Sequence, residues 1–181
     1  MSLLKSDPDA LAQGASAPDF SLMNTVDGST VSLSDFSGKA VVVLFMCNHC
    51  PFVIPKFEEI ASLQNEFSDI VMLCVNANSP DIVPDDGPEQ MKRVAGEQGF
   101  TYYLFDESQE VAKAYGAVCT PDPFVFDASH KLVFHGRIND AMNPDSVASQ
   151  HDLRDVLSKV VAGEAVENWF EPSQGCSIKW K

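Results

Sequence analysis

Apolar positions gather in short runs along this chain, and each run predicts an element. Val41-Val42-Val43-Leu44-Phe45-Met46 is apolar throughout and β-branched at its start, which reads as a strand buried on both faces. Ile70-Val71-Met72-Leu73-Cys74-Val75-Asn76 repeats the pattern, Tyr102 to Asp106 is a short extended segment, and Phe124 to Asp127 and Leu132 to Gly136 supply two more strands. Between them the period changes. Phe57, Ile60, Ala61, Leu63 and Phe67 form one helical face, predicting a helix from Cys50 to about Phe67 with Pro51 in its first turn and a kink at Pro55. Pro88 opens a helix to about Gly99, and Ser108 is the expected N-cap of a helix to Tyr115. Ser149 with Asp152 resembles a capping box ahead of Leu153, Val156, Leu157, Val160 and Val161, and Gly163 ends that last helix. Two short strand patterns flank Asp27-Gly28, hence a hairpin. Residues 77–87, rich in Asn, Ser, Pro and Asp, form a long loop that either borders a site or only connects.

The 181 residues are enough for one domain spanning 1–181, with a flexible arm over about 1–15 and a tail over about 165–181 packed on the body. In that tail Ile178 and Trp180 read as the anchors. Twelve Lys+Arg against 26 Asp+Glu give a formal charge of −14, which argues against a nucleic-acid or anionic-membrane partner. No apolar run approaches a membrane span, and Met1-Ser2-Leu3-Leu4-Lys5 lacks the apolar core of a signal peptide. As written the protein is expected to be cytoplasmic, or periplasmic or exported if a leader has been removed.

Chemistry concentrates at Cys47-Asn48-His49-Cys50, where the core strand ends and a helix is expected to begin. Unpaired N–H groups and the positive end of a helix dipole favour thiolate there. The expected roles are attack by Cys47 and resolution by Cys50, with His49, beside Asn48, tuning the thiolate by its positive charge. Five cysteines is an odd count, and a close Cys-x-x-Cys suits redox chemistry better than a disulfide framework. Cys74, among apolar neighbours, reads as an inert core residue.

Strand, Cys-x-x-Cys and helix together resemble the active site of the thioredoxin superfamily. The Ala17-Pro18-Asp19-Phe20 entry, the hairpin and Ser34-Asp35-Phe36-Ser37-Gly38-Lys39 are similar to the opening of peroxiredoxins and their thioredoxin-like relatives. The whole pattern, including the Gly-Cys-Ser-Ile-Lys-Trp-Lys ending, resembles bacterial redoxins related to the AhpC/TSA and TlpA/ResA groups. This resemblance implies an α/β, thioredoxin-like three-layer fold: a central mixed β-sheet with helices on both faces, plus the N-terminal hairpin and C-terminal tail. It further implies a cis bond at Thr120-Pro121 facing the cysteines, with the Thr120 backbone pairing to an extended substrate segment. Cys119 and Cys176 are candidate auxiliary thiols, with a buried spectator favoured for Cys119.

The implied function is thiol–disulfide exchange without a cofactor, on protein or small-molecule disulfides, served by a reducing or oxidising redox partner. The alternative is a thiol peroxidase. Its motif is broken, since with Cys50 as attacker the family's Thr and Pro places hold Cys47 and Val43, and with Cys47 they hold Leu44 and Ala40. Arg137 is the candidate replacement for that family's peroxide-orienting Arg. The buried Asp of thioredoxins corresponds here to Val41, so a proton acceptor must come from elsewhere. A metal-binding or non-catalytic module is the remote alternative, and no second ligand pair lies at zinc-site spacing, so no metal is expected.

Overall fold

The computed structural model describes residues 2–181. In chain order the elements are β1 (Leu3–Lys5), β2 (Ser21–Asn24), β3 (Thr30–Ser32), β4 (Val41–Phe45), α1 (Phe57–Glu66), β5 (Val71–Asn76), α2 (Pro88–Gln98) and β6 (Tyr103–Phe105). They continue with α3 (Glu110–Tyr115), β7 (Cys119–Thr120), β8 (Asp122–Phe126), β9 (Leu132–Gly136), α4 (Asp152–Ala162), β10 (Phe170–Glu171) and β11 (Gln174–Ser177).

Eight strands form one mixed sheet in the order β10-β9-β8-β4-β5-β6-β2-β3, with β4 at its centre, parallel to β5 and antiparallel to β8. The β4 run has no polar residue because both of its faces are covered. Val42 and Leu44 pack with the α1, α2 and α4 residues Ile60, Leu63, Met91, Leu153 and Leu157. Val41, Val43 and Phe45 face the opposite layer, with Leu33, Phe36, Ala112, Tyr115, Phe124 and Phe126. The period-two alternation of side chains turns one apolar run into the floor of two cores. This is the three-layer α/β architecture the resemblance implies.

Four local expectations are corrected. Cys50 does not open a regular α-helix. Residues 51–53 are a turn, Ile54–Lys56 is a 3-10 turn, and α1 begins only at Phe57. Pro51 and Pro55, four apart, lack N–H donors, so after the Ile54 N–H closes on the Cys50 carbonyl the next α-helical bond, from residue 55 to the Pro51 carbonyl, cannot form. Ser108 sits before α3 rather than capping it as first residue outside, since Gln109 holds that place in a left-handed conformation and Ser108 Oγ accepts from the Glu110 N–H. Ser149 does not cap α4, where His151 takes the N-cap position, and its side chain goes to Asp140.

The fourth correction concerns the ends of the chain. Residues 3–5, within the segment expected to be a loose arm, form β1, and β1, β11 and β7 make a second, three-stranded sheet. Ser6 is buried, with its hydroxyl on Asp122 at 2.7 Å and accepting from the Ser173 N–H at 2.9 Å. In the tail, Ile178 is buried as expected of an anchor, whereas Trp180 is more than a third exposed. Hydrogen bonds from the Lys179 N–H to Asn78 and from the Lys181 N–H to Gln109 hold that end instead.

Candidate active site at the end of the central strand

The core strand delivers Cys47 and Cys50 to the carboxyl end of the sheet, where both thiols are fully buried. Cys47 Sγ lies 3.4 Å from Thr120 Oγ1, and Cys50 Sγ lies 3.3 Å from the Thr120 carbonyl oxygen. The Thr120-Pro121 peptide bond is cis. Four residues singled out from sequence, Cys47, Cys50, Thr120 and Pro121, are therefore brought to one place.

The connection 51–53 lets the Val53 and Ile54 N–H groups bond back to the Cys50 carbonyl, fixing the bend that follows the pair. Beyond it Lys56 is buried, and its ammonium goes to Asn139 and the Ala141 carbonyl, tying this bend to the loop after β9. Asn139 in turn meets Glu59 on α1.

His49 does not act as a free cation beside Cys47. Its Nδ1 lies 2.6 Å from the buried Asp86 carboxylate, which also accepts from the Asn48 N–H at 2.7 Å and from Asn78 Nδ2 at 2.8 Å. The Asp86 bond raises the His49 imidazole above its ordinary value. Burial works to raise the Asp86 carboxyl, yet the hydrogen bonds from His49 and Asn78 hold it below the usual carboxylate range. Asn48 is locked too: Nδ2 donates to the Asp85 carbonyl at 2.7 Å, and Oδ1 accepts from the buried Tyr103 hydroxyl at 2.8 Å. Asp86, Asn78 and Tyr103 were not legible as site residues. For Asn78 and Asp86 the only signal was the polar composition of the 77–87 loop, Tyr103 in its short extended segment carried none, and no spacing rule connects any of them to the Cys-x-x-Cys.

The two thiols of the reduced pair shift each other in opposite directions. The Cys47 thiol donates to the Cys50 sulfur, which raises Cys47 well above the ordinary thiol range, with burial and the Asp86 charge adding to it. Cys50 is drawn down to about 5 by that hydrogen bond, against burial, with further help from the Cys176 thiol and the Cys176 and Phe52 N–H groups. The Thr120 carbonyl pulls the other way, since only a protonated Cys50 can donate to it. One thiol of the pair is thus drawn down as the other is pushed up.

Cys119 is fully buried on the far side of β7 from Thr120, as neighbours in a strand must be, and burial pushes its thiol far up. Cys74 is likewise buried and pushed up to about 12. Arg137 is held by Asp152 at 2.8 Å and approached by Glu171 at 3.6 Å. Cys47, His49 and Asp86 each present one donor atom within 4.8 Å of the others, a set that spacing alone did not reveal; a closed structural zinc site takes four ligands. Among the described residues no helix is long and apolar enough to cross a membrane.

A β4-to-bend dithiol facing a cis-proline edge, on a mixed sheet with helices on both faces, defines a protein of thioredoxin-like fold. The sequence profile of the AhpC/TSA family matches residues 13–135, and the chain belongs to that family. Among solved structures it is similar to an uncharacterized conserved protein from Geobacillus kaustophilus, at 40% identity over 100% of this chain and 97% of that one, with a TM-score of 0.93. A hypothetical protein from Sinorhizobium meliloti is 34% identical over 94% and 96% of the two chains, with a TM-score of 0.89. At 22% identity the thioredoxin domain of a thiol-disulfide oxidoreductase from Bacteroides vulgatus shares the fold, covering 82% of this chain and 97% of that one at a TM-score of 0.64. A comparison with curated protein sequences found no match.

Proposed function

We propose that this protein is a thiol–disulfide oxidoreductase that works by dithiol–disulfide exchange at Cys47-Asn48-His49-Cys50. The observation that carries the reading is the convergence of both sulfurs on Thr120, beside its cis bond to Pro121, at a buried site. Family membership and the fold shared with the Bacteroides domain support it.

In this reading Cys50, the thiol that its neighbours draw down, is the attacker. The Cys50 thiolate attacks one sulfur of an incoming disulfide; that S–S bond breaks, one thiolate leaves, and a mixed disulfide forms on Cys50. Cys47 then loses its proton and attacks the Cys50 sulfur, releasing the second thiol and leaving Cys47–Cys50 as a disulfide. The substrate has gained two electrons, and a redox partner restores the dithiol or, in the reverse direction, accepts them. This order reverses the roles expected from sequence, where Cys47 attacks. Asp86 and His49 hold the 47–50 turn in shape, and the His49 charge favours the Cys50 thiolate. Substrates are disulfides of proteins or small molecules.

The test is trapping with a disulfide-containing peptide. With Cys176 also replaced by Ser, Cys47→Ser is expected to accumulate a mixed disulfide on Cys50, whereas Cys50→Ser accumulates none. Trapping on Cys47 alone would reverse the order, and turnover that survives both substitutions would defeat the reading.

The low position of Cys50 also favours a second reading, reduction of hydroperoxides by that thiolate. Rapid mixing of the reduced protein with hydrogen peroxide separates the two. Oxidation no faster than that of a free thiol leaves disulfide exchange, and fast oxidation abolished by Cys50→Ser establishes the peroxidase.

A further inference from the structure

The edge of Thr120, where a substrate strand would be expected to pair, is already occupied by the chain's own tail. β11 runs antiparallel to β7, with Cys176 opposite Thr120 and Ser177 opposite Cys119. Directly paired residues of two strands project to the same face. Thr120 turns its hydroxyl to Cys47, so Cys176 stands on the face where Cys47 and Cys50 lie. The approach is as close as a chain allows: a Cβ on Gly175 would sit 1.8 Å from the Thr120 carbonyl oxygen, and only glycine fits. The pairing is held on both flanks, by the Ile178 N–H on the Val118 carbonyl at 3.0 Å, the Ser173 hydroxyl on the Pro121 carbonyl, and β1 on the outer edge of β11. Cys176 is buried beside Cys50 in the same apolar cluster.

We propose that Cys176 is a third redox thiol of this site, presented by the tail as a captive substrate strand and exchanging with Cys50. The inference rests on the disulfide chemistry proposed above. Starting from the Cys47–Cys50 disulfide, the Cys176 sulfur attacks the Cys50 sulfur. The Cys47–Cys50 bond breaks, a Cys50–Cys176 bond forms, and Cys47 leaves as a thiolate that takes up the proton Cys176 has lost. No electrons enter or leave, so no outside oxidant is needed for this step. In the fully reduced protein the Cys176 thiol is pushed up to about 12, first by burial and then by sharing its proton with Cys50. The second of these influences ends once Cys50 is in a disulfide. Exchange thus becomes easier in the oxidised protein, the state in which it is useful. The outcome moves the disulfide from the interior turn to the last strand and returns Cys47 to the thiol form.

Cys47→Ser isolates the step. Treated with oxidised glutathione, its Cys50 takes up glutathione, and Cys176 is expected to displace it, giving two glutathiones released per chain. Trypsin after acid quench and alkylation then links the peptide Ala40–Lys56 to Val160–Lys179, a pair that Cys74 and Cys119 cannot mimic because they lie on other peptides. Glutathione retained on Cys50 with Cys176 alkylated overturns the proposal. Cys47→Ala repeats the assay without a side-chain hydroxyl, and the wild-type protein, partially oxidised, must also yield some linked pair; Cys176 alkylated in every wild-type chain contradicts the inference. Failure of the exchange reading itself looks different: wild type and variants alike would then lack turnover and the Cys47–Cys50 disulfide, whatever Cys176 does in Cys47→Ser.

Discussion

Asp86 gathers three hydrogen bonds in a place with no access to water, and its partners include the imidazole of His49 and the backbone of Asn48. Removing its charge should therefore loosen the 47–50 turn itself. Asp86→Asn is expected to cost about 2 kcal/mol, the worth of hydrogen bonds to a buried charge. The pH dependence has a definite sign. The carboxyl is held below its unfolded value, so its contribution is complete above about pH 4 and lost as acid reaches the folded value. His49 is raised, so its contribution is complete below about pH 6.5 and lost as pH climbs through the folded value. Denaturant melts should show the widest gap between wild type and Asp86→Asn between about pH 4 and 6.5; a gap that keeps widening above that window would contradict the assignment. The cysteines make a second prediction. The ultraviolet absorbance of thiolate should rise by one group near pH 5 and be absent in Cys50→Ser, with Cys47 titrating only at strongly alkaline pH. One group titrating in the ordinary thiol range near about 8.5 would contradict it.

Among the elements, β4 was readable in advance because a six-residue apolar run admits few other structures. The bend was misread for a local reason, the paired prolines at 51 and 55, and the tail strand was unreadable for a general one. β11 contains Gln174-Gly175-Cys176-Ser177, without alternation or β-branching, and it is a strand only because β1 and β7 offer open edges on either side. Ser6, Ser173 and Asp122 hold those edges together through contacts spanning most of the chain, which no window of sequence displays. β11 lies along the Thr120 edge, and its Cys176 is buried in the same apolar cluster as Cys47 and Cys50. Gly175→Val should push the tail off Thr120, and the rate at which iodoacetamide modifies Cys50 should rise by at least an order of magnitude; an unchanged rate would mean the tail does not limit access. Native-state hydrogen exchange at Ile178, whose N–H bonds Val118, should lose its protection in the same variant.

For the molecule as a whole, the formal charge of −14 bears on which disulfides arrive. Oxidised glutathione is anionic and is repelled, whereas cystamine is cationic and is attracted. Raising ionic strength from about 0.01 to about 0.15 M shortens the Debye length from roughly 30 to 8 Å, so the exchange rate with glutathione should rise while that with cystamine falls. Equal salt dependence for both would show that the net charge does not steer encounter. Composition read that charge directly, the apolar runs gave the individual strands and helices, and the family resemblance implied the three layers; the Asp86 network was not legible, because it joins a turn and a loop that meet only after the sheet has formed.

The central claim, that Cys47 and Cys50 are a dithiol that becomes a disulfide and returns, is met most directly by equilibrating the protein in glutathione buffers of stepped potential, quenching with acid and weighing the peptide Ala40–Lys56, which carries both cysteines. The account predicts a reversible two-electron transition in which the peptide loses two hydrogens without gaining glutathione, absent from Cys47→Ser and Cys50→Ser. A peptide that stays reduced across the range, or that only accumulates glutathione, would contradict it.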